Sequence, residues 1–252
     1  MTHVETVHVL DTGTAPALAV VVCGIDGSPE ASEAARQAAL LVPPDARMEL
    51  VGVIRAGLVE SVASVMPARA PEPERRLRKE AWEALELASL DVPAGIEVTS
   101  TLRTGPAAAM LESEAARHDA GLIAVGSHGQ GRLAGKLLGS VPTRLVHEAP
   151  CSVLIARPAP AETFPRRIIV GVDRSEPSLR ALALGGELSR RIGAPLDPVH
   201  VLDSSPAPAL VNRANADDLI IVGSRGMRGL RSLGSVSEAV AHRAPCSVLV
   251  VR

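Results

Sequence analysis

The chain repeats itself, and that repetition limits its possible folds more than any other feature. Leu138–Arg157, LGSVPTRLVHEAPCSVLIAR, returns as Leu233–Arg252, LGSVSEAVAHRAPCSVLVVR, with twelve of twenty positions identical and no gap. Upstream, Leu122–Gly129 (LIAVGSHG) returns as Leu219–Gly226 (LIIVGSRG), and the run ending at Asp26 returns as the run ending at Asp173. The spacing between copies exceeds the roughly 20–50 residues of a solenoid repeat. The chain is therefore read as two copies of one domain.

Within a copy, short apolar runs alternate with helical stretches, the pattern of an α/β domain with a mostly parallel sheet covered on both faces. In the first copy the predicted strands are 17–25, 48–54, 96–103, 122–125 and 151–156. The predicted helices are 28–41, 74–89, 107–118 and a short one over 141–148. Residues 1–16 read as a leader, 17–157 as the first domain, 158–166 as a linker stiffened by prolines and 167–252 as the second domain. The second copy is abbreviated. After predicted strands at 167–172 and 196–202 with a helix at 176–192 between them, only Asp203–Asp218 precede the strand at Leu219. The loop, the Arg/Glu-rich helix and one strand of the first copy have no room there. The open edge this leaves is expected to be covered by the first domain or by a second chain.

The repeated unit has the makings of an anion site. A buried strand ends in glycine, a loop follows, and a short helix begins. Gly126 and Gly129 open the loop and Gly139 closes it. Ser140 stands where an N-cap belongs, and Pro142 falls in the first turn, where a missing N–H costs little. Glycine lets backbone approach a ligand, and a helix start offers unpaired N–H groups with a favourable dipole. The second copy has Gly223, Gly226, Gly234 and Ser235, with seven residues between the inner glycines against nine in the first. Ser235 and Glu238 are spaced as a capping box, which would satisfy that helix start without a ligand. Arg225, Arg228 and Arg231 of the second loop read as solvated.

On these residues the chain resembles the universal stress protein family in its tandem form, whose nucleotide motif is G-x2-G-x9-G-[ST]. Gly126, Gly129, Gly139 and Ser140 meet the motif in full, and the second copy departs from it in loop length. The resemblance implies two tandem adenine-nucleotide alpha hydrolase-like (Rossmann-like) domains, each with a mostly parallel five-stranded sheet, the second abbreviated. It implies binding of ATP, with Mg²⁺ where a metal rides on the phosphates. It assigns Asp26 to the nucleoside, Val53 to the edge of the base, and Gly126, Gly129, Gly139, Ser140 and Val141 to the phosphates. The corresponding second-copy residues are Asp173, Val201, Gly223, Gly226, Gly234, Ser235 and Val236. Where family members carry Thr or Ser, this chain has Pro142, which offers neither amide nor hydroxyl. The resemblance also implies that the terminal strands, Ser152–Ala156 and Ser247–Val251, meet antiparallel in an internal pseudo-dimer. A further homodimer follows if the incomplete second domain needs cover. The competing reading is an interaction module whose glycine loops survive as tight turns.

Other chemistries find little support. A net charge of −2 and one Trp, one Phe and no Tyr leave neither a basic patch nor a stacking platform for nucleic acid. No apolar run approaches the roughly 20 residues of a membrane span. The first residues have neither the basic nor the apolar region of a signal peptide, so the expected location is the cytoplasm. Three cysteines suggest buried thiols rather than a disulfide framework. Gly135-Lys136 is followed by Leu137 where a Walker motif needs Ser or Thr. No catalysis is expected beyond slow ATP hydrolysis. Trp82 is read as a core anchor, His128 as a solvated loop residue, and His147 and His242 as structural residues at helix C-termini.

Overall fold

Apolar runs such as Leu122–Val125 and Val248–Val251 are uniformly hydrophobic rather than alternating, as befits strands buried on both faces. The computed structural model describes residues 18–55, 71–129, 138–200, 206–224 and 234–252. Five strands of the first copy are β1 (Val20–Ile25), β2 (Arg47–Ile54), β3 (Glu97–Thr104), β4 (Leu122–Gly126) and β5 (Ser152–Ala156). The second copy supplies β6 (Ile168–Val172), β7 (Leu196–His200), β8 (Leu219–Gly223) and β9 (Ser247–Val251). All nine lie in one sheet, in the order β3-β2-β1-β4-β5-β9-β8-β6-β7. Every pairing is parallel except β5 with β9, which run antiparallel with Leu154 opposite Leu249. The two terminal strands thus meet within one chain, as the resemblance implied.

Helices cover both faces. On one lie α1 (Pro29–Leu41), α2 (Pro71–Leu90) and, from the second copy, α5 (Glu176–Ile192). On the other lie α3 (Ala107–Arg117), α4 (Ser140–Glu148), α6 (Pro206–Arg213) and α7 (Ser235–Arg243). Alternate strand residues feed the two layers: Leu122 and Ala124 join the α1 side, Ile123 and Val125 the α3 side. Each layer draws residues from both copies, so the halves share their cores.

The central junction is closed by reciprocal arginines. Arg157, just past β5, donates to the Ala241 carbonyl at the end of α7 (2.6 Å) and to the Cys246 carbonyl (3.0 Å). Arg252, just past β9, donates to the Val146 carbonyl at the end of α4 (2.6 Å). A cation at a helix C-terminus satisfies orphan carbonyls and suits the dipole. Each copy's arginine thereby caps a helix of the other.

One element was not foreseen, and three expectations change. The connection between β7 and β8 contains a helix, α6, whose Leu210 meets Gly171 as Leu111 of α3 meets Gly24. What the second copy lacks is therefore the counterpart of α2 and β3, whereas the crossing helix survives in shorter form. The linker is docked rather than a bare spacer: Phe164 is buried, and the Arg36 guanidinium stacks over its ring at 5.9 Å. Trp82 is no core anchor, being 42% exposed while Leu85 and Ala88 form the buried stripe of α2. That stripe is too narrow for an indole, so the ring stays on its flank. The short helices start one residue earlier than expected, with Gly139 and Gly234 as N-caps and Ser140 and Ser235 already helical.

Burial pushes the Cys23 and Cys246 thiols up to about 12 and Cys151 to about 11, which makes all three poor nucleophiles.

Candidate functional site

The site forms at the carboxyl ends of β1, β2 and β4, where parallel sheets place ligands. Asp26 follows β1, and Gly27 turns the chain with φ +80°. Ser28 caps α1 by accepting from the Ala31 N–H at 3.2 Å. Its own N–H and hydroxyl donate to Asp26 Oδ1 at 3.0 and 2.5 Å. Asp26 is thus held against the start of α1. Its other carboxylate oxygen stands against Gly129, where a Cβ would collide with it. The acid and the glycine loop, more than a hundred residues apart in sequence, are in contact.

Gly126 ends β4 beside α1, and a Cβ there would come within 2.8 Å of the Glu30 backbone. That glycine is required by packing, whatever binds nearby. The Gly139 N–H donates to the Ser127 carbonyl at 2.9 Å, pinning the start of α4 beside the end of β4. With glycine as N-cap there is no side-chain cap. The Ser140 and Val141 amides, in the first turn of α4, accordingly have no intrahelical acceptor. Pro142, which is buried, adds no donor. His128 differs from expectation. It is partly buried, its Nδ1 lies 3.0 Å from Ser127 Oγ, and its Nε2 is buried with no partner among the described residues. An imidazole nitrogen left this way is ready for a polar ligand atom.

These groups surround a cavity of about 670 Å³. Asp26, Val53, Gly126, Gly129, Gly139, Ser140 and Val141, the first-copy residues that the resemblance assigned to a nucleotide, line it. Its size falls in the range of roughly 300–1,000 Å³ usual for small-ligand sites. Sequence reasoning missed the outer wall, which α2 supplies through Leu77, Ala81, Ala84 and Leu87, with Glu80 and Glu83 at its edge. The signal was present: Leu77, Ala81 and Ala84 fall at i, i+4 and i+7 in a helix otherwise rich in charge.

The second copy reproduces the frame. Asp173 Oδ1 accepts from the Ser175 N–H at 3.0 Å and from its hydroxyl at 2.5 Å. Burial alone would raise the Asp173 carboxyl, but the Ser175 and Ser178 hydrogen bonds outweigh it and hold the group below its ordinary value. Gly223 packs against the Pro177 backbone as Gly126 does against Glu30, and the Gly234 N–H donates to the Ser224 carbonyl at 2.9 Å. Ser235 and Val236 open α7 as Ser140 and Val141 open α4. The capping box is not made, because Ser235 is already helical and Glu238 instead faces His147 of the first copy at 3.7 Å. Two details differ. Arg174, with φ +67°, replaces Gly27. Ser237, at the place of Pro142, donates its hydroxyl to the Gly223 carbonyl at 2.6 Å. Val201, Gly226, Arg225, Arg228 and Arg231 lie outside the described residues.

This fold has known counterparts. The universal stress protein family pattern matches residues 18–157 in one piece and the second copy in two overlapping pieces, 165–217 and 206–252. Universal stress protein Rv2005c of Mycobacterium tuberculosis H37Rv is 30% identical, over 92% of this chain and 96% of its own length. A universal stress protein crystal structure from Archaeoglobus fulgidus aligns with 93% of this chain and 98% of its own, with 18% identity and a TM-score of 0.63. A solved universal stress protein in complex with cAMP covers 56% of this chain and 98% of its own at 25% identity, TM-score 0.38. The chain belongs to the universal stress protein family, with its domain repeated.

Among the described residues, no helix is long and apolar enough to cross a membrane.

Proposed function

We propose that the first copy binds an adenine nucleotide, ATP in the first instance, and that occupancy changes the protein's conformation or choice of partner. The observation that carries this reading is the cavity in which Asp26, the glycine loop and the uncapped start of α4 meet. In it the Ser140 and Val141 amides and the Ser140 hydroxyl hold phosphate, aided by the dipole of α4. Asp26 accepts from the ribose hydroxyls. The base lies against Val53 and the small apolar side chains of α2, Ala81 and Ala84. His128 Nε2 bonds a phosphate or sugar oxygen. Mg²⁺, where present, is held by the phosphates. The protein is read as a nucleotide-responsive binder acting in the cytoplasm, not as an enzyme.

Isothermal titration tests this. ATP should bind the full chain with one strong site, and Gly129→Val should abolish the heat by driving a side chain into Asp26. A flat titration at about 100 µM protein, where micromolar affinity is readily seen, overturns the reading.

A further inference from the structure

The nine-stranded sheet has two outer edges, β3 and β7, and they are built differently. The Glu97 N–H donates to the Ala46 carbonyl and the Gly105 N–H to the Ile54 carbonyl, at 3.2 and 2.9 Å. The odd-numbered backbone groups of β3 therefore face β2, and Val98, Ser100, Leu102 and Thr104 turn theirs outward. All four outward positions keep an N–H. On β7, the Ile168 N–H donates to the Pro195 carbonyl at 2.8 Å, so Leu196, Pro198 and His200 face outward. Pro198 stands at the middle of that edge and has no donor to offer. Proline at an outward position is a recognised way of blunting an edge against pairing. The edge of the shortened copy is blunted; that of the full copy is not.

We propose that β3 pairs with β3 of a second copy of this chain, antiparallel about a twofold axis at Ser100. The strand reads Glu97-Val-Thr-Ser-Thr-Leu-Arg-Thr104, which is self-complementary about that residue. Val98 comes opposite Leu102, Thr99 opposite Thr101, and Glu97 opposite Arg103. Aliphatic, Thr–Thr and opposite-charge pairs are the favourable cross-strand combinations. The backbone parity agrees independently. Turning about Ser100 sets outward residue against outward residue, Val98 on Leu102 and Ser100 on itself, as antiparallel hydrogen-bonded pairs require.

The surface beside this edge points the same way. None of the eight β3 residues is buried, whereas β2 next to it is buried at six of its eight positions. Among the described residues, the exposed large hydrophobics are Trp82, Leu87 and Leu90, at 42%, 65% and 79%. All three lie on α2, the helix packed on β2 and β3. A twofold perpendicular to the sheet brings two such helices together on one face, as the β5–β9 junction brings α1 beside α5. The edge and the flank carrying Trp82 and Leu90 thus form one self-complementary surface, and Leu87 stands between it and the nucleotide cavity of the preceding reading, whose wall it lines.

Sedimentation of the full chain tests the pairing. The wild type should sediment as a dimer at tens of micromolar, roughly the range in which modest interfaces associate. Ser100→Pro should give monomer, with far-UV circular dichroism unchanged because only an outward N–H is lost. Should that variant unfold, Glu97→Arg keeps the test alive: facing Arg103 across the axis, it should weaken the dimer about tenfold or more. A wild type that stays monomeric up to about 200 µM overturns the proposal. So does a dimer indifferent to Glu97→Arg and to a properly folded Ser100→Pro.

Discussion

The two copies share a glycine-loop frame but not the wall that α2 adds to the first. In both, an acid after the first strand is clamped by a serine that caps the next helix. In both, a glycine at the end of a central strand meets that helix's backbone, and a second glycine pins the short helix. The first copy alone has α2, from which Leu77, Ala81, Ala84 and Leu87 close the cavity. Gly126 and Gly223 are thus each required by backbone packing, whatever either loop holds. On the proposed reading, the wall matters for binding as well as the loop.

The sharpest way to break this comparison is to treat the shared glycines alike. Gly126→Val and Gly223→Val should each cost about 3 kcal/mol in urea unfolding, since both drive a branched side chain into helix backbone. A large cost in the first copy alone would mean the second frame has slackened. Next comes the wall. Ala84→Trp should weaken nucleotide binding in isothermal titration about a hundredfold, about 2.7 kcal/mol, while leaving the melting temperature nearly unchanged.

A smaller contrast lies in the ion pairs that tie each outer strand to its crossing helix, which have opposite polarity. Arg103 of β3 grips buried Glu114 of α3 at 2.6 and 3.1 Å, whereas Asp197 of β7 accepts from Arg213 of α6 at 2.6 and 2.9 Å. The Arg103 hydrogen bonds hold the Glu114 carboxyl below its ordinary value. Its stabilisation is therefore present at neutral pH and is lost as pH falls below about 4, through the folded-state value. Glu114→Gln should cost about 2 kcal/mol at pH 7, and the gap between wild type and variant should narrow as the medium is acidified. Asp197→Asn should cost below about 1 kcal/mol, because Arg213 is half exposed and rehydrates. The smallest effect is expected from Pro142→Ser, which restores a donor at the cradle and should tighten nucleotide a few-fold.

Much of this was legible in the sequence because repetition filters out accident. Strand ends at Asp26 and Gly126 follow from runs written twice, whereas the pairing of the terminal strands came from the family resemblance. Helix starts were legible only to within a residue, because Gly139 and Ser140 are both acceptable N-caps and packing against Ser127 chose the glycine. Trp82 misled because helical spacing says which residues share a face, not how wide the buried stripe is. The α2 wall was hidden because alanines carry no chemical signature. The helix α6 escaped notice because a short stretch beginning Pro-Ala-Pro lacks the periodic run that announces a helix.

The crossed arginines make each half depend on the other. The carbonyl that closes α4 waits for a guanidinium 106 positions further along the chain. The first half alone would leave that helix end to water, and the second half supplies the guanidinium that closes it. Two copies built in this way are free to diverge at their outer strands, but not to separate.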